Sequence, residues 1–223
     1  MTEDAGSNAE TTLRLPFPPV VIGIAGASGS GKTTLAAELA RELSGIYFPI
    51  DNYYRDLCHL PHAERVKQNF DDPAIIESSL LAAHVAALAR GETIERPIYD
   101  FSTHTRVHGR TEKMQAEAFV IVEGLFALFY PELLPLYQFR IYIDTPDDVC
   151  FERRMRRDTV ERGRTEDSVR RQYEATVRPA SVAWVRPSAA NADLVIDGTE
   201  ALDWKVEQVL ARMRQQGLLR RPG

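Results

Sequence analysis

The stretch "VVIGIAGASGSGKTT", Val20 to Thr34, decides the fold. Val20 to Ala25 is a continuous apolar run rich in β-branched side chains. Such a run suits a strand buried on both faces of a parallel sheet. Gly26, Ala27, Ser28, Gly29, Ser30, Gly31, Lys32 and Thr33 then fill every position of G-x-x-x-x-G-K-[ST]. The glycines let backbone N–H groups curl around phosphate oxygens. Lys32 would reach the β- and γ-phosphates, and the Thr33 hydroxyl would ligate Mg²⁺. Thr34 leads into a helix with Leu35, Leu39 and Leu43 at helical spacing, stopped by Gly45. The positive end of that helix faces the same anion. Gly26 to Thr34 is therefore the expected binding loop for a nucleoside triphosphate, ATP or GTP, with Mg²⁺. A plain flexible glycine turn would need neither the strand before it nor the helix after it.

Working outward, strands alternate with helices. Ile46–Asp51, Phe119–Gly124, Phe139–Asp144 and "ADLVIDG" read as further strands. Ser78–Arg90, an Arg-rich helix opened by Pro146, Asp167 to about Val177, and Trp204–Gln216 read as helices. The alternation predicts an α/β fold, a parallel sheet flanked by helices. Thr93 to Met114 breaks the pattern and reads as an irregular insertion or a β-hairpin. One domain over residues 16–223 is expected. The polar, acidic residues 1–15 read as a disordered tail.

Composition excludes several classes. A formal net charge of −5 argues against broad nucleic-acid binding, which needs a basic face. The most apolar segment, Ala118 to Tyr130, is too short for a membrane span and carries Glu123. Cys58 and Cys150 lie far apart with no C-x-x-C pattern, so neither a zinc site nor a redox pair is indicated. A reducing, cytoplasmic compartment fits.

In parallel α/β sheets ligands gather outside the carboxyl ends of the strands. Asp51 and Glu123 end two predicted strands and should face the loop. Glu123 would hold Mg²⁺, directly or through water. Asp51 could accept the proton of an attacking hydroxyl and stand near the metal. Either acid could instead cap a helix or pair with a surface base. Cys150 to Tyr173 contains eight arginines, among them Arg153, Arg154, Arg156, Arg157, Arg162 and Arg164. Some fit a solvated helix face with Asp158 and Glu161. Together they fit a lid over transferring phosphate, with Gly163 as hinge.

These motifs resemble the uridine kinases (uridine–cytidine kinases) of the phosphoribulokinase/uridine kinase group. The resemblance runs from Val20 to Gly198, through "GASGSGKTT", "DNYYRDL", "NFDDP", "PIYDFSTHTR", "VEGLF", "IDTPDD", "RRDTVERGR", "SVRRQY" and "RPSAANADLVI". It implies a P-loop kinase fold with a small hairpin insertion and an Arg-rich lid. It implies phosphorylation of the 5′-hydroxyl of uridine and cytidine, giving UMP and CMP. Tyr99 and His104 match residues that recognise the pyrimidine, and Tyr54 a pocket aromatic. Asp71, Arg154 and Gln172 match residues that hold the ribose hydroxyls. Asp51 matches the catalytic base; Arg157, Arg162 and Arg164 match lid arginines; Thr33 and Glu123 match Mg²⁺ positions. The resemblance also implies a homo-tetramer and inhibition by pyrimidine triphosphates. Asp72 stands where the family usually has His, and "RPSA" where it often has E-P-S-K. Two rivals remain: a same-group kinase for ribulose 5-phosphate or pantothenate, and a non-catalytic nucleotide-sensing module.

Overall fold

The computed structural model describes residues 17–219. The tail expected over residues 1–15 lies outside them. Five strands form a parallel sheet: β1 (Val20–Gly26), β2 (Ile46–Pro49), β5 (Phe119–Glu123), β6 (Phe139–Asp144) and β7 (Leu194–Asp197). Their order is β2-β5-β1-β6-β7, with the loop-bearing strand at the centre. Alternation along each strand splits the core into two layers. Ile22, Ile24, Ile121, Ile141 and Ile143 pack against α1 (Lys32–Glu42) and α7 (Leu202–Gln215). Val21, Phe48, Val120, Val122 and Tyr142 face the other way, into the layer that holds Leu81, Val85 and Leu88 of α3 (Ser78–Ala89). Each fully buried aliphatic side chain contributes about 1.5–3 kcal/mol. Burial on both faces fixes the strand ends, which is what the site requires of the sheet.

Two expectations need correction. The second strand stops at Pro49, and Asp51 lies in a 3₁₀ turn, Ile50–Tyr53. Proline has no N–H to continue the ladder, so the turn begins there. The insertion is the hairpin that was one of its two expected forms: β3 (Thr93–Asp100) pairs antiparallel with β4 (Thr105–Gln115), with a shift between Pro97 and Tyr99. Most of β4 is exposed on both faces, so no hydrophobic alternation announces it.

The helix expected to stop near Val177 continues instead. After α4 (Asp147–Val160), α5 (Glu166–Gln172) passes into π-helical turns at Tyr173–Val177 and Ser181–Val185. These flank the short α6 (Arg178–Ala180), and a 3₁₀ turn, Pro187–Asn191, follows. Pro179 cannot donate to an α-helical ladder, and wider π turns absorb its ring.

Candidate active site

The loop between β1 and α1 is shaped by close backbone approach. Gly29 has φ of 89°, and a Cβ there would lie 2.3 Å from the carbonyl oxygen of Cys150. Only glycine fits. Gly31 caps α1 with φ of 96° and offers no side chain, so the first amides of α1 have no side-chain cap. Uncapped N-terminal amides present a ready anion site. The cradle therefore suits the phosphates of a nucleotide.

Beneath it stands Glu123, buried at the end of β5. The Thr33 hydroxyl donates to Glu123 Oε1 at 3.1 Å, and Lys32 Nζ lies 3.9 Å from the same oxygen. Tyr47, on β2, donates to Oε2 at 2.8 Å. Thr33 and Glu123 are thus adjacent, an oxygen pair of the kind that holds Mg²⁺. Tyr47 escapes sequence reading because an aromatic in a strand reads as core.

Asp51 emerges from the 3₁₀ turn toward this cluster. Burial, with the neighbouring Glu123 charge, pushes its carboxyl up to about 6, against the pull of Lys32 and of a hydrogen bond from Tyr54. A carboxylate tuned this way can take a proton near neutral pH.

Tyr54 links the acid to an aromatic box. Its ring meets Tyr99 and Phe70 edge-on, each 5.2 Å away, and Phe101 at 6.4 Å. His104 stacks on Phe70 at 4.9 Å. His104 adopts φ of 54°, a left-handed geometry at the hairpin tip that favours few side chains. Burial, aided by His62 and Arg65, lowers its pKa and so favours the neutral imidazole. The Tyr99 hydroxyl is buried and has no hydrogen-bond partner among the described residues. Such a group costs free energy unless a ligand completes it. Phe70, Phe101 and Arg106 are additions to the expected set. Arg106 donates to the carbonyls of Tyr54 (3.0 Å) and Tyr53 (3.4 Å) and pairs with Glu77 (2.7 Å). It pins the hairpin over the Asp51 turn.

The remaining expected residues form the wall opposite. Asp71 is buried and accepts from Thr176 at 3.1 Å. Burial raises its carboxyl pKa, opposed by Arg154. Arg154 donates to Ser28 of the loop (2.8 Å) and to Gln172 (2.9 Å). Its guanidinium therefore ties loop to helix. Arg154, Arg157, Arg162 and Arg164 all converge within 3.6 Å on Asp158, which is fully buried. Burial alone would raise Asp158, but Arg157 and Arg154 outweigh it and hold the carboxyl low. In sequence, Asp158 reads as one more acidic neighbour on a charged helix. Its role as hub emerges only when Gly163 turns the chain back, with φ of 61°.

Comparison with known proteins now gives the family. A model described as Phosphoribulokinase / Uridine kinase family matches residues 21–204. The chain belongs to this family. A uridine kinase of Chloroflexus aurantiacus is 39% identical over 198 residues, covering 87% of this chain and 94% of that protein. A uridine kinase of Salmonella paratyphi B is 43% identical over 185 residues, covering 79% and 86%. A solved structure from Silicibacter sp. TM1040, described as a fructose transport system kinase, superposes with a TM-score of 0.65 at 23% identity. It covers 82% of this chain and 91% of its own, and that likeness shows the fold alone. Membership makes the protein a P-loop kinase that takes a nucleotide phosphoryl donor and a small-molecule acceptor. No helix among the described residues is long and apolar enough to cross a membrane.

Proposed function

We propose that the protein transfers the γ-phosphoryl group of ATP to the 5′-hydroxyl of uridine and cytidine. The observation that carries the reading is the aromatic box with its orphaned Tyr99 hydroxyl, joined through Tyr54 to Asp51. A flat ring laid against the cluster of Tyr54, Phe70 and His104, hydrogen-bonded by Tyr99 and His104, describes a pyrimidine base. The kinship with uridine kinases at 39% and 43% identity supports the same reading. A sugar-phosphate acceptor would want cations where these aromatics stand, so the box does not favour that rival.

Asp71 and Gln172 face the ribose hydroxyls. Arg154 is a third ribose ligand once it leaves Ser28. Asp51 accepts the 5′-hydroxyl proton as the new P–O bond forms and ADP leaves. The amides of Gly26 to Thr34 and Lys32 hold the donor phosphates, and Arg157, Arg162 and Arg164 close over them. Thr33 and Glu123, with Asp51 nearby, would hold Mg²⁺, which when bound neutralises phosphate charge. The reading implies one catalytic domain over residues 16–223, a cytoplasmic setting and a homo-tetramer.

Tyr99→Phe tests the box. Calorimetric titration of uridine should show affinity reduced by about ten- to a hundredfold, since a buried polar contact is worth about 1–3 kcal/mol. The free variant should melt no lower than the parent, because the lost hydroxyl had no partner. Unchanged uridine affinity would remove Tyr99 from base recognition.

A further inference from the structure

We propose that Asp56, Cys58 and His108 form a transition-metal site, suited to Zn²⁺, that clips the β3–β4 hairpin to the segment following Tyr54. One ligand atom from each residue lies within 4.8 Å of the other two. His108 Nε2 is 3.4 Å from Asp56 Oδ2. The carboxylate is already oriented: its Oδ1 accepts the amide N–H of Cys58 (3.1 Å) and of Arg106 (3.4 Å). That leaves Oδ2 turned toward the imidazole. Held carboxylates of this kind are what fix a metal ligand's direction.

The donor set selects the metal. Thiolate, imidazole and one carboxylate oxygen suit Zn²⁺ and its neighbours, whereas Mg²⁺ wants oxygen alone. Bonds of about 2.0–2.3 Å in a tetrahedron place donor atoms about 3.5 Å apart. Small rotations of the exposed Cys58 and His108 side chains close the present spacing. Water would take the fourth position. The thiol proton leaves to solvent as the thiolate binds. Cysteine spacing alone gives no hint of this site, because the imidazole comes from β4 and reaches Asp56 only once the hairpin folds back. The proposal is independent of the acceptor assignment, since none of the three residues is placed in the phosphoryl-transfer machinery.

The test uses the full chain, reduced and freed of metal, titrated anaerobically with Co²⁺ and then Zn²⁺. The expected result is a thiolate-to-cobalt charge-transfer band that saturates at one ion per chain and is abolished by Zn²⁺. Cys58→Ser should eliminate the band, and His108→Gln should weaken Co²⁺ binding about tenfold or more. His59→Gln, at the adjacent exposed imidazole, should leave it unchanged. The proposal fails if no band forms, if the band survives in Cys58→Ser, or if His108→Gln binds as the parent does.

Discussion

Replacing Asp51 by Asn keeps its shape and removes its capacity to take a proton. The expected result is a kcat lowered by about 10²–10⁴-fold, with uridine affinity retained. The pH profile adds a second constraint. A base acts deprotonated, so in the parent kcat/KM for uridine should rise with pH through about 6 and level off above it. The Asn variant should lose that limb. Linkage gives a third. A raised carboxyl pKa means that ionised Asp51 costs folding stability. The cost is absent below the ordinary value of 3.8 and complete above about 6. The Asn variant should therefore melt higher than the parent at neutral pH and equally at pH below 3.8, as calorimetry would show. Stability gained where activity is lost is the expected signature of a functional acid.

At the scale of elements, the bounds of the hairpin strands and the arginine hub are the parts that sequence conceals. β1, α1 and the loop between them are legible because a buried run, a glycine motif and a leucine period occupy one continuous stretch. β4 is not, because its exposed faces leave no alternation. Tyr99 and His104 became site candidates only through family resemblance, and Phe70 and Arg106 not at all, because their meaning lies in contacts across the fold. Arg106→Ala should release the hairpin from the Tyr53–Tyr54 carbonyls. Steady-state kinetics should show uridine KM raised about tenfold or more, with nucleotide KM little changed, as loss of charge-assisted hydrogen bonds predicts. Asp158→Asn should act on the lid. It removes the carboxylate shared by Arg154, Arg157, Arg162 and Arg164 and leaves the buried Arg154 with Asp71 alone, a loss of about 3 kcal/mol. In a domain of this size that is roughly 6–12 °C in Tm. The Asp158 pKa is lowered in the folded protein. The difference should therefore persist at all pH above 3.8 and close only as the carboxylate is protonated below that value.

Over the whole molecule, the parallel sheet collects groups from distant sequence at one edge. β1 brings the glycine loop and β5 brings Glu123, while the turn after β2 brings Asp51. The helical passage from Asp147 to Asn191 returns the arginines, Gln172 and Thr176 to face them. Two apolar layers hold this edge rigid from behind. Ile94 and Tyr99 seat the hairpin in the core, while Arg154, Arg157, Arg162 and Arg164 meet at Asp158. Phosphoryl transfer needs a fixed cradle with closing walls. The most direct measurement is MgATP-dependent ADP release by the purified protein with uridine, cytidine, deoxyuridine, adenosine, ribulose 5-phosphate and pantothenate offered in parallel. The account predicts turnover with uridine and cytidine, weak turnover with deoxyuridine, and none with the others. Turnover with ribulose 5-phosphate or pantothenate in place of the nucleosides would contradict it.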